Sequence, residues 1–157
     1  MGVKSSTEYL TIQEYYGKKR AERSNVLLMD HINEGIFMLQ KWVRPVIEQR
    51  AFAIHPLVQD HTAGHLSYLK SYPLAFEYSK AANSYLCRPD TDNLIDIYSV
   101  TGDISLGCAY MLLADKIQNQ KDFNIYHLLS HPRSKELSKY FNNWIDYLVE
   151  YIHHYKG

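Results

Sequence analysis

Apolar residues recur along most of this chain at spacings of three and four, the period at which side chains share one face of an α-helix. Between Arg23 and Glu48 the positions Val26, Leu27, Met29, Ile32, Ile36, Phe37, Leu39 and Val43 predict one long amphipathic helix, with Ser24 or Asn25 as its cap. Pro45 has no amide hydrogen to donate, so this helix must kink or end near Arg44, although apolar positions resume at Val46 and Ile47. The stretch from Arg50 to Asp60 is apolar around His55-Pro56. Because the residue before a proline is biased away from helical dihedrals, His55 is expected at a junction and Pro56 in the first turn of a short helix, interrupted by Gly64 and ending near Tyr72. Pro73 then opens a cleaner helix through Leu86, with Leu74, Tyr78, Ala81, Ala82 and Tyr85 on one stripe.

The run from Cys87 to Asn93 is a turn cluster that separates two halves of the expected domain. Leu94 to Val100 reads as a short helix or an extended apolar piece, broken by Thr101-Gly102-Asp103. Ile104 to Gln120 predicts a strong helix whose apolar members spread around much of the circumference, the signature of a central element. One or two helical turns are expected over Asp122 to Leu129, stopped at His131-Pro132. The last amphipathic helix runs from Ser134 to Tyr155 on Leu137, Tyr140, Phe141, Trp144, Ile145, Leu148, Val149 and Ile152. No period of two persists anywhere. The expected fold is therefore all-α, a single-domain helical bundle of five to six main helices over residues 21–157, preceded by a polar, loosely held arm over residues 1–20.

Composition narrows the picture by exclusion. The 157 residues suit one domain, and 17 basic against 17 acidic residues leave no net charge to favour DNA, RNA or an anionic membrane. Two separated cysteines, Cys87 and Cys108, form no metal or disulfide framework and read as small buried residues of a reducing compartment. No stretch has the length of a transmembrane helix, and the N-terminus lacks the apolar run of a signal peptide; its Gly2 and Ser6 match only a short myristoylation pattern. A cytoplasmic protein is expected, with oligomerisation left open. The 14 tyrosines stand out, since a buried Tyr asks for a polar partner and so favours crevices with polar edges.

The candidate chemistry centres on Asp115, a carboxylate inside the core-directed run Leu112-Leu113-Ala114-Asp115-Lys116-Ile117. Burying an anion is costly unless a cation, a metal or donors compensate it. Asn119 lies four residues on, and Lys116 and Lys121 are close in sequence; a structural role for Asp115, as a cap or an ion-pair member, is the alternative. His61 and His65 have a one-face helical spacing but lack the glutamate of HExxH, and His153-His154 reads as a helix end. Nucleophile-elbow, P-loop and dinucleotide motifs are absent from the sequence.

The string Leu113-Ala114-Asp115-Lys116-Ile117-Gln118-Asn119 resembles the last motif of the HD phosphohydrolase superfamily, in particular the branch that hydrolyses (p)ppGpp. Ile54-His55-Pro56-Leu57 has the form of that branch's upstream histidine step. The resemblance implies an HD-like helical fold, a metal-binding role for His55 and Asp115, and a nucleotide contact for Asn119. The two matches cover about a tenth of the chain, and the chain departs from the family between them. The family's adjacent His-Asp pair is missing, only the reverse order occurs, at Asp30-His31 and Asp60-His61, and the interval between the matches is shorter than usual. The corresponding helix offers Glu77 instead.

A site rebuilt on this pattern would take His55, Glu77 and Asp115 as ligands, with His31 as another if it faces inward, and His with carboxylate suits Mn, Fe or Zn. Glu77 and Asp115 would be its catalytic carboxylates. Arg44, Arg50, Lys80 and Asn119 would bind the phosphates of a nucleotide or other phosphorylated small molecule, with Phe52 or Tyr78 stacking on a base. The expected function is a degenerate HD-type, metal-dependent nucleotide phosphohydrolase or pyrophosphohydrolase. The competing expectation is a catalytically inert helical module, on an HD-like scaffold, that binds a nucleotide or a protein.

Overall fold

A computed structural model describes residues 2–22, 24–60, 63–84 and 104–156. Six α-helices account for nearly all regular structure: α1 (Thr7–Tyr16), α2 (Leu28–Lys41), α3 (Val46–Val58), α4 (Tyr72–Ser84), α5 (Leu106–Tyr126) and α6 (Ser134–Lys156). Short 3-10 turns lie at Val3–Ser5 and Ala63–Leu66. Among the described residues there is no strand, only an isolated bridge between Arg20 and Leu27, so the chain is all-α as its periodicity predicts. The chain forms two compact units, Met1–Lys80 and Ala81–Gly157, with the boundary inside α4.

In the first unit α1 and α2 both pack on α3. The expected N-terminal arm is instead a helix. Ser6 caps it by accepting the amide of Tyr9 at 3.2 Å, and Tyr9 and Ile12 are buried. Sequence periodicity missed α1 because one of its core-facing residues is a carboxylate, Glu8, which is fully buried.

The single long helix expected from Arg23 to Glu48 is two helices, α2 ending at Lys41 and α3 beginning at Val46, directly after Pro45. Val43 takes a left-handed conformation, φ 56°, and the amide of Arg44 reaches back to the carbonyl of Leu39 at 2.9 Å, a Schellman-type closure with valine where glycine is usual. At the other end the N-cap of α2 is Leu27, not Ser24 or Asn25; Ser24 Oγ accepts the amide of Val26 and Asn25 itself has φ 59°. Where α2 crosses α3, a Cβ on Gly35 would lie 2.0 Å from Phe52 Cε1, so the helices meet at a distance that only glycine allows.

His55-Pro56 is not a junction. Both residues sit in the last turns of α3, with Pro56 inside the helix, and the chain leaves it after Val58. Of the expected helix from Leu57 to Tyr72, Leu57 and Val58 belong to α3 and Tyr72 to α4, and the described residues between them hold only the 3-10 turn at Ala63–Leu66. α4 follows its prediction over the described residues, with Pro73 in the first turn, Tyr78, Ala81 and Ala82 buried and Leu74 half-buried, while Tyr85 and Leu86 lie outside the described residues.

In the second unit α5 packs along α6. Ser105 caps α5 through the amide of Cys108 at 3.2 Å, and the nine residues from Cys108 to Lys116 are all buried. Burial around the full circumference is what the unbroken apolar run predicts. The separate turns expected after Asp122 are a continuation of α5 to Tyr126. On α6 most of the predicted stripe is inside: Leu137, Tyr140, Trp144, Leu148 and Ile152 are buried and Phe141 and Ile145 half-buried, whereas Val149 faces solvent. Lys116 inserts between α5 and α6, its ammonium 5.1 Å from the Trp144 ring centre and 5.8 Å from that of Tyr140. Tyr151 fastens the approach to α5 by donating to the carbonyl of Ile104 at 2.6 Å and accepting its amide at 3.2 Å. The turn cluster from Cys87 to Asn93 and the segments over 94–103 lie outside the described residues.

Candidate functional site

His55 is placed by the proline that follows it. In a helix the carbonyl of Phe52 would accept the amide of residue 56, but Pro56 has none. The His55 Nδ1 takes that carbonyl at 2.5 Å. A carbonyl only accepts, so Nδ1 carries the proton and the lone pair of the neutral ring is on Nε2. A backbone carbonyl holding one imidazole nitrogen so that the other can ligate is the usual outer support of a metal-binding histidine.

His31, on α2, faces the same place in the first unit. Its ring centre is 5.8 Å from that of His55, edge to face, and 5.6 Å from Phe52. Phe52 and Tyr78 flank His55 at 4.8 Å and 4.6 Å. His55 is 3% exposed and His31 half-buried, so the pair sits in an aromatic pocket with one ring nearer solvent. With metal–nitrogen bonds of about 2 Å, two imidazole centres on one ion can be at most about 6.4 Å apart. The observed 5.8 Å lies inside that limit, so the ring separation permits a shared divalent cation.

The predicted cations of this unit differ in what they are doing. Arg44 closes side-on upon Glu48, Nε to Oε1 at 2.8 Å and Nη2 to Oε2 at 2.7 Å. Arg50 meets the buried Glu8 through Nε alone, at 2.9 Å. Lys80 is exposed and lies over the ring of Phe76 at 5.4 Å. Glu77 is half-buried on α4.

In the second unit Asp115 is buried on α5, and its surroundings match a carboxylate held in one orientation. Asn119, one turn on, donates from Nδ2 to Asp115 Oδ2 at 3.1 Å, and Lys116 Nζ is 3.8 Å from the same oxygen. Gln118, 1% exposed, donates to the carbonyl of Ala114 at 3.3 Å, while among the described residues its Oε1 accepts nothing.

No protein-family model, curated protein or solved structure matches this chain. The sequence reading picked out His31, His55, Asp115 and Asn119, and missed Glu8 and Ser71. Ser71 donates to Glu8 Oε2 at 2.6 Å, making a buried polar node on Arg50. The signal for it was Glu8 four residues before Ile12, a carboxylate on the apolar side of an otherwise short and weakly amphipathic segment.

Proposed function

We propose that the protein is a metal-dependent phosphohydrolase of degenerate HD type, acting on a nucleotide or another phosphorylated small molecule. The pairing of His31 with His55, with the His55 tautomer set by the Phe52 carbonyl, is the observation that carries this reading. His31 and His55 would hold the ion through imidazole nitrogen, Asp115 is the carboxylate that the resemblance adds as a ligand, and Glu77 is the one that a site rebuilt without the His-Asp pair would take. This mixed set suits Mn, Fe or Zn. A divalent ion so held would polarise a phosphoryl oxygen and make hydroxide available near neutral pH.

The chain's own groups do the rest. Asn119 fixes the Asp115 carboxylate and presents its own carbonyl oxygen to a nucleotide, while Arg50 and Lys80 supply positive charge for phosphate. Arg44 supplies charge only if Glu48 yields its fork, which favours Arg50, held through Nε alone, over Arg44 for that role. An inert binding module is the second reading, favoured by the absence of any His-Asp dipeptide.

Elemental analysis of untreated protein, followed by phosphate and pyrophosphate release from a nucleotide panel with Mn, Fe, Zn, Co and Mg, tests the proposal. Bound metal that His55→Ala loses, together with turnover, is the expected result. Metal-free protein that stays silent across the panel overturns it, and a nucleotide that binds without turnover selects the inert module.

A further inference from the structure

The two arginines on either side of the start of α3 are used in opposite ways. Arg44 spends the side-on face of its guanidinium on Glu48 in a bidentate pair. Arg50 does not close on Glu8, although that carboxylate is fully buried and has an oxygen to spare. Glu8 Oε2 takes both the Arg50 Nε at 2.9 Å and the Ser71 hydroxyl at 2.6 Å, while Oε1 accepts no hydrogen bond among the described residues. Leaving a buried carboxylate oxygen unsatisfied is expensive, and a rotation of the guanidinium into the Arg44 geometry would relieve it. Arg50 stays turned away. Its side chain is 31% exposed, and among the described residues its Nη1 and Nη2 make no hydrogen bond.

We infer that Glu8 and Ser71 are positioning residues that hold Arg50 by its Nε, so that its two terminal amines form a preorganised fork for an oxyanion of the phosphate class. A guanidinium anchored from behind loses less rotamer freedom on binding than a free surface arginine, and its paired N–H groups match two phosphoryl oxygens. The inference takes from the proposed function only the assignment of Arg50 to phosphate; it needs neither a metal nor turnover.

Pyrophosphate is the probe, titrated calorimetrically into the full chain in EDTA at low ionic strength. Stripping the metal separates this test from the one above, since a protein without metal or activity can still bind through Arg50, and a protein that fails here can still hold an ion. Binding is expected for the wild type, weakened at least about tenfold by Arg50→Gln and by the charge-preserving Arg50→Lys, in line with the loss of a charge-assisted fork. Lys135→Gln, an exposed charge on α6, controls for net charge and leaves binding unchanged. Glu8→Gln keeps the shape and an acceptor but not the anion, and is expected to weaken binding about threefold or more; a simple neutralising role for Glu8 gives the opposite sign, tighter binding. If Glu8→Gln does not fold, Ser71→Ala, which frees the carboxylate without removing it, is expected to weaken binding in the same direction. The Arg50 Nε–Hε resonance gives a spectroscopic check, because it should shift as pyrophosphate is added. Absence of wild-type binding, equal affinity in Arg50→Gln, tighter binding in Glu8→Gln, or an Nε–Hε signal indifferent to pyrophosphate each overturns the inference.

Discussion

Pro56 turns the neighbouring histidine into a defined tautomer, and a single substitution isolates that effect. In Pro56→Ala the restored amide competes for the Phe52 carbonyl, so the helix gains a backbone hydrogen bond while His55 loses the anchor of its Nδ1. Melting temperature should hold or rise while metal affinity falls about tenfold or more, the usual cost of removing an outer-shell partner. Loss of stability with metal affinity intact would mean that the Nδ1 contact is only packing. Asp115 gives the complementary test. Asp115→Asn keeps the volume and an acceptor for Asn119 but removes the charge, so metal retention and turnover should vanish with the fold unchanged by circular dichroism. A fall in melting temperature with metal content unaltered would assign Asp115 to the ion pair with Lys116 instead.

At the scale of elements, the α2–α3 pair combines a close approach with a strained turn. Gly35→Ala pushes a methyl into Phe52, whose ring also touches His31 and His55. The expected cost is about 1–3 kcal/mol in thermal or denaturant unfolding, with weaker metal binding, because overpacking displaces the ring against both imidazoles. Val43→Gly works in the other direction: a solvent-exposed β-branched residue held at φ 56° is replaced by one that adopts this conformation without strain, and stability should rise by about 1 kcal/mol. An unchanged or lowered denaturation midpoint in Val43→Gly would show that the turn is not limited by Val43. Hydrophobic spacing revealed both helices but not the split between them. Pro45 announced a break, whereas its position at Lys41 depends on backbone bonds from Trp42 to Met38 and from Arg44 to Leu39 that apolar periodicity does not encode.

For the whole molecule, no helix among the described residues is long and apolar enough to cross a membrane, and its stability is expected to respond to ions by mass action. Any divalent metal that binds the folded chain should raise the melting temperature in proportion to the logarithm of its concentration, by about 2.7 kcal/mol of stability at a hundred times the dissociation constant. EDTA should reverse the rise, and His55→Ala should abolish it; a melting temperature indifferent to Mn, Fe and Zn across that range removes the metal from the proposal. The sequence by itself determined the all-α class and the buried faces of α5 and α6, because helical periodicity is local and the apolar run from Cys108 to Ala114 leaves no face for water. It also marked His55 and Asp115, since polar groups in apolar runs are costly enough to be visible one residue at a time. Tertiary structure alone decided that residues 7–16 form a helix anchored by a buried Glu8, that His31 meets His55, and that Gly35 is indispensable where α2 crosses α3. Each of those depends on a partner between 17 and 63 positions away in the chain, Arg50 and Ser71 for Glu8, His55 for His31 and Phe52 for Gly35, and no local pattern records which distant residue will satisfy a charge, share a ligand or fill a gap.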